Sequence, residues 1–243
     1  LRLGDILAEA GLPKGVLNIV TTTNTGKVME PIIRDPRLRK LTFTGSTEVG
    51  RSLIEQSAEG ILRVSMELGG NAPFLVFDDA DLDKAVDGAM LAKMRNIGEA
   101  CTAANRFIVH ESVAEEFAEK LSARMSALTI GRGVEDGVDV GPLVEAKQRD
   151  KVAELVDDAV SKGATALTGG APLDGDGYFY PPTVLSQVPD AARLRTEEIF
   201  GPVAPIFTFT DEAEALRMAN DTEYGLVAYA FTQDYARSIR VYE

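Results

Sequence analysis

Residues 41–77 read "LTFTGSTEVGRSLIEQSAEGILRVSMELGGNAPFLVF", and the fold turns on this stretch. "LTFT" (41–44) is a short strand-like run that gives way to "GSTEVG" (45–50) and then to helical residues through Ser57. "RVSMEL" (63–68) and "PFLVF" (73–77) are two further short apolar runs. Strands alternating with helices of about a dozen residues indicate α/β layering around a largely parallel sheet. Gly69 and Gly70 interrupt the strand pattern and divide the chain into residues 1–68 and 69–243.

The same alternation extends outward in both directions. Upstream, Leu3, Ile6, Leu7 and Ala10 fall at helical spacing, and Gly11 with Pro13 ends that helix. "VLNIV" (16–20) is expected to be a buried strand, with a helix over 26–34. Downstream, Leu82, Val86, Met90 and Met94 recur every four residues on a helix that Asp79 or Asp81 would cap. Strands are expected at 106–110, 164–168, 203–209 and 226–231, and helices at 113–128, 145–162 and 212–220. The chain opens inside a helical pattern and stops inside another, which predicts a piece of a longer protein, truncated at both ends.

Composition narrows the function classes. Lys and Arg number 25 against 38 Asp and Glu, a net charge of −13. Such a surface repels phosphate backbones, and no basic run or aromatic platform offsets it, so nucleic acid is not an expected partner. No apolar run approaches the roughly 18 residues of a membrane span. The single cysteine rules out an internal disulfide framework, and a reducing, cytoplasmic setting is the simple expectation. One cysteine and one histidine cannot make a Cys/His zinc site, so no metal is expected, although carboxylates remain able to hold a hard cation.

Five places could carry chemistry. Gly45 and Gly50 are spaced like the outer glycines of a dinucleotide fingerprint, but Thr47 replaces the middle one; Ser46 stands at the helix start, where N–H groups favour an anion. Glu67, between Met66 and Leu68, would become a usable base if desolvated, and Gly69–Gly70 would let a ligand approach. Cys101 lies among small residues in "GEACTAANR" (98–106), which suits either a site that something enters or tight packing. Glu198, before Phe200, Gly201 and Pro202, could hold sugar hydroxyls against a flat ring. Arg95 could pair with a substrate carboxylate. Each has a plain structural counterpart: Ser46 as a helix cap, Glu67 at a strand end in water, Cys101 as a small buried hydrophobe, Glu198 and Arg95 as solvated helix ends. His110 would be a base for Cys101 only if the fold joined them, in which case a cysteine hydrolase becomes the rival.

Taken in order, "FTGSTEVG", "MELGGNAPFLVFDDADLDKAV", "GEACTAANR" and "EEIFGPV" resemble the aldehyde dehydrogenase superfamily over essentially the whole chain. Cys101 stands 34 residues after Glu67 and 97 before Glu198, which is similar to the family spacing of base, nucleophile and ribose-binding glutamate. "KMRNIGEACTAANRF" and "DEAEALRMANDTEYGLVAYAFTQD" most resemble succinate-semialdehyde dehydrogenases. The resemblance implies NAD or NADP as cofactor and a homodimer or homotetramer as parent assembly. It implies Cys101 as nucleophile and Glu67 as the base that activates water. Gly45, Ser46 and Val49 would line the pyrophosphate and adenine side, Leu68 and Gly69 the nicotinamide, and Glu198 with Phe200 the ribose and ring. Arg95 would hold the substrate's distal carboxylate.

Residues 1–68 would then be the end of an NAD(P)-binding domain and 69–243 most of a catalytic domain. The oxyanion asparagine and a second carboxylate-binding arginine would lie upstream. Two departures stand out. Glu99 and Ala100 replace the family's Gln and Thr or Ser ahead of the cysteine, placing an unexpected charge beside the thiol. Ala103 occupies the place of a second cysteine that some relatives use as a redox latch.

Overall fold

A computed structural model describes residues 1–243, in which Leu1–Leu68 and Gly69–Glu243 form two compact units. The first contains helices α1 (Arg2–Glu9) and α2 (Thr25–Ile33), strand β1 (Lys40–Thr44), helix α3 (Thr47–Glu59) and strand β2 (Arg63–Glu67). Asn24 starts α2 by accepting the Lys27 N–H at 3.2 Å. β1 and β2 are parallel, from Lys40↔Arg63 to Thr44↔Glu67, and α3 supplies the crossover such a pair requires.

The expected strand at 16–20 does not form. Val16, Leu17, Ile19 and Val20 are 43–67% exposed, and β1 and β2 pair only with each other. Without a ladder partner an extended run leaves its backbone groups to solvent, whatever its side chains prefer.

The second unit is built on a six-stranded sheet. Its elements in order are strand β3 (Ala72–Val76), helix α4 (Leu82–Met94), strand β4 (Ala104–His110), helices α5 (Glu111–Ser126) and α6 (Ala146–Ser161), strands β5 (Thr165–Thr168), β6 (Thr183–Ser186) and β7 (Val203–Phe209), helix α7 (Glu212–Asn220), strand β8 (Tyr229–Phe231) and helix α8 (Tyr235–Tyr242). The strand order is β5-β6-β7-β4-β3-β8, and only the β5–β6 pair is antiparallel. The expected α/β class with a largely parallel sheet is therefore present.

Both faces of this sheet are covered, which explains why "PFLVF" is continuously apolar rather than alternating. Phe74, Val76, Phe107 and Val109 pack with α4 and α5, whereas Leu75, Phe77, Ile108 and Phe207 pack with α6 and α7. β6 was not expected from the sequence, and β8 is shorter than expected because Leu226 stays 44% exposed. On α4 the fully buried stripe is Ala85, Val86, Ala89 and Lys93, with Leu82, Met90 and Met94 only partly buried beside it. Asp81, not Asp79, caps that helix, accepting the Lys84 N–H at 3.2 Å.

Candidate active site

β7, β4 and β3 are hydrogen-bonded neighbours running parallel. Gly70 lies just ahead of β3, Cys101 just ahead of β4, and Glu198 with Phe200 just ahead of β7. Three of the suspected segments therefore gather at the amino ends of adjacent strands. Open α/β sheets more commonly place ligands at the carboxyl ends.

The cysteine turn is strained on entry. Asn96, Ile97 and Gly98 all have positive φ, at 58°, 49° and 78°. For a β-branched residue such as Ile97 this costs about 1–2 kcal/mol, which the surroundings must offset. The Asn96 amide donates to the Glu99 carbonyl at 2.7 Å, and the Glu99 N–H returns to the Asn96 carbonyl at 2.9 Å. A side chain at Gly98 would overlap the Gly201 carbonyl, and one at Gly70 would overlap the Cys101 carbonyl. On the far side, the Tyr229 hydroxyl donates to the Thr102 carbonyl at 2.8 Å. Cys101 is half-buried and its thiol is free.

Beside the turn is a cavity of about 480 Å³ whose wall includes Arg95, Ala100, Thr102, Val227 and Tyr229. The residues on either side of Cys101 and the suspected carboxylate-binding arginine thus share one space. Glu99 points elsewhere. Its carboxylate accepts the Val144 N–H at 3.1 Å, while burial pushes its acidity down and its pKa up.

Glu198 is held from several directions. Its Oε1 accepts the Gly70 N–H at 2.9 Å. Burial raises its pKa, against the Gly70 hydrogen bond and the charges of Lys151 and Lys93. The Lys151 ammonium donates to the Glu198 carbonyl at 2.7 Å, and the Gln148 amide donates to the carbonyls of Ile199 and Phe200 at 3.0 and 2.8 Å. Two side chains one turn apart on α6 therefore hold three consecutive carbonyls. Phe200 sits at φ 54°, a second strained residue kept in place by its neighbours. A half-buried carboxylate anchored by a backbone N–H is chemically able to accept hydrogen bonds from sugar hydroxyls.

Within the first unit, Ser46 caps α3 by accepting the Val49 N–H at 3.4 Å, and Val49 is 46% exposed. A side chain at Gly45 would overlap the Phe43 ring, and one at Gly50 would overlap Leu68. The loop therefore presents the amino end of a 13-residue helix, which suits an anionic group. Glu67 ends β2 with an exposed side chain, and Met66 and Leu68 are only half-buried. They do not enclose it, so the expected burial of this carboxylate between them is not seen. Gly69 opens the second unit, half-buried.

His110 and Cys101 are not brought together. His110 ends β4, the strand that begins just after Cys101, so the two lie at opposite ends of a seven-residue strand. Its ring nitrogens face the Ser112 hydroxyl at 2.8 Å and the Thr210 carbonyl at 3.1 Å. The hydrolase reading fails on that geometry. Sequence reasoning also missed Gln148, Lys151, Asn105 and Lys93. The available signal for Lys93 was its place four residues after Ala89 on the buried side of α4.

Comparison with known proteins gives the chain's family. The profile of the Aldehyde dehydrogenase family matches residues 1–243. A succinate-semialdehyde dehydrogenase from Paenarthrobacter nicotinovorans is 57% identical over 98% of this chain and 53% of its own length. A glutarate-semialdehyde dehydrogenase from Pseudomonas aeruginosa is 51% identical over 100% of this chain and 50% of its own. The crystal structure of an NADP-dependent enzyme from E. coli superposes with a TM-score of 0.96 at 51% identity, covering 98% of this chain and 50% of that one. The chain thus spans about half the length of the curated relatives it matches. By fold, by motif order and by a match along its whole length, the chain belongs to the aldehyde dehydrogenase family.

Proposed function

We propose that the whole protein oxidises an aldehyde to a carboxylic acid with NAD or NADP, and that its substrate is succinate semialdehyde. The observation that carries the substrate is the cavity shared by Arg95 and the residues flanking Cys101. A semialdehyde acid needs a cation near the nucleophile, and arginine offers a bidentate fork for a carboxylate.

In this reading the Cys101 thiolate attacks the aldehyde carbon, and the resulting oxyanion is held by the Cys101 backbone N–H. When bound, a nicotinamide dinucleotide would supply the hydride acceptor, leaving the carbon held on Cys101 as a thioester. Glu67 takes a proton from water, the hydroxide attacks the thioester carbon, and the acid departs as the thiolate is restored. Glu198 and Phe200 orient the nicotinamide end. Gly45, Ser46 and Val49 receive the pyrophosphate and adenine side, and Leu68 with Gly69 faces the nicotinamide. Residues 1–68 are read as the end of the cofactor domain and 69–243 as most of the catalytic domain. The whole protein is read as a cytoplasmic homodimer or homotetramer, and residues 1–243 alone as inactive.

Arg95→Ala tests the substrate. In protein expressed from its natural reading frame, kcat/KM for succinate semialdehyde should fall about 10- to 100-fold while an uncharged aldehyde is unaffected. Equal losses for both aldehydes would remove Arg95 from substrate recognition. Glutarate semialdehyde carries the same carboxylate one methylene further out, and its kcat/KM relative to succinate semialdehyde decides between the two.

A further inference from the structure

Lys93 is wholly buried on α4, four residues beyond Ala89. A buried ammonium loses its hydration, so its position calls for compensating contacts. Its Nζ donates to Asn105 Oδ1 at 3.0 Å and to the Gly201 carbonyl at 3.4 Å. Asn105 in turn donates from Nδ2 to the Gly70 carbonyl at 3.2 Å, and the Gly70 N–H donates to Glu198 at 2.9 Å. The two backbone groups at the ends of this chain of contacts are the same ones that press on the cysteine turn. The Gly201 carbonyl lies against Gly98, and the Cys101 carbonyl lies against Gly70.

The charged groups around Lys93 are few. Glu198, ahead of β7, attracts it, and Lys151 from α6 donates to the Glu198 carbonyl and also acts on its charge. Glu99 is turned away to the Val144 N–H. Burial brings Lys93 down to about 7, with the Glu198 charge acting in the opposite sense.

We propose that Lys93 is a positioning residue that joins the Cys101 turn to the Glu198 carboxylate through Asn105, the Gly70 peptide and the Gly201 carbonyl. One buried amine then governs both the seat of the nucleophile and the charge on the diol-binding carboxylate. The catalytic meaning of this link rests on the proposed dehydrogenase reading; the link itself does not.

Two readouts independent of turnover test it. Cys101 is the sole cysteine of residues 1–243, and its alkylation by iodoacetamide can be followed on its own peptide by mass mapping. The Glu198 carboxyl can be followed by 13C chemical shift against pH. In Lys93→Met the Glu198 midpoint should rise by about half a pH unit, because a favourable charge is gone. Release of the turn should speed alkylation about threefold. In Glu198→Gln the midpoint of the Lys93 Nζ, followed by 15N shift, should fall in reciprocal fashion. That second variant leaves α4 untouched and serves if Lys93→Met does not fold. A lysine that only fills space would leave the carboxyl titration in place. An unmoved Glu198 midpoint, an unmoved alkylation rate, or an unmoved Lys93 midpoint in Glu198→Gln overturns the proposal. Failure of the dehydrogenase reading would look different: no aldehyde oxidation, with these shifts intact.

Discussion

In Leu1–Leu68 the two glycines at the start of α3 lie beneath side chains: the Phe43 ring covers Gly45 and Leu68 covers Gly50. In Gly69–Glu243 the two glycines on either side of the cysteine turn lie beneath backbone: the Cys101 carbonyl covers Gly70 and the Gly201 carbonyl covers Gly98. Leucine methyls can rotate away from a new methyl group, but a peptide carbonyl cannot move without shifting the backbone on both sides of it. The cysteine turn is therefore fixed by main chain on both sides, whereas the loop entering α3 is only cushioned.

Glycine-to-alanine substitutions should separate the two regions. Gly98→Ala meets both a φ of 78° and the Gly201 carbonyl, and Gly70→Ala meets the Cys101 carbonyl. Each should cost about 3 kcal/mol or more in chemical denaturation of the second unit. A loss below about 1 kcal/mol in both would show that the turn yields as readily as a side chain.

A smaller effect concerns pH. The unfolded chain protonates Lys93 near 10.5, whereas the folded chain does so only near 7. Between those values the unfolded state binds more protons, so this group's contribution makes stability rise with pH and fall away as pH drops toward 7. Lys93→Met should flatten the slope over that window in urea titrations. A slope identical to that of the parent protein would contradict the burial of a titrating amine.

The smallest effect is expected at Gly50→Ala. Displacing the Leu68 methyls costs about 1 kcal/mol, and alanine inside α3 returns about the same through helix propensity. Stability should be nearly unchanged; a loss comparable to that at Gly98 would erase the difference between the regions.

Local pattern made much of the fold legible. β7 and α7 fall at the bounds expected for them, because a continuous apolar run marks β7 and the Asp211 cap marks the start of α7. The run at 16–20 misled because strand formation depends on a partner that residues 16–20 do not name. β6 was overlooked because four residues after two prolines look like loop. The order and spacing of Glu67, Cys101 and Glu198 were visible in the sequence, but the residues that hold the Cys101 and Glu198 segments were not. Gln148, Lys151, Asn105 and Lys93 act through contacts 12 to 108 residues away in sequence, and each alone reads as an ordinary polar residue.

The central claim is that Cys101 carries the acyl group and Glu67 drives its hydrolysis. The most direct measurement is acid quench followed by peptide mass mapping, on protein expressed from its natural reading frame and mixed with succinate semialdehyde and the oxidised dinucleotide. The account predicts a succinyl adduct on the peptide containing Cys101, accumulating in Glu67→Gln and absent in Cys101→Ser. Aldehyde oxidation that persists in Cys101→Ser, or an adduct that never forms on that peptide in Glu67→Gln while the aldehyde is consumed, would contradict it.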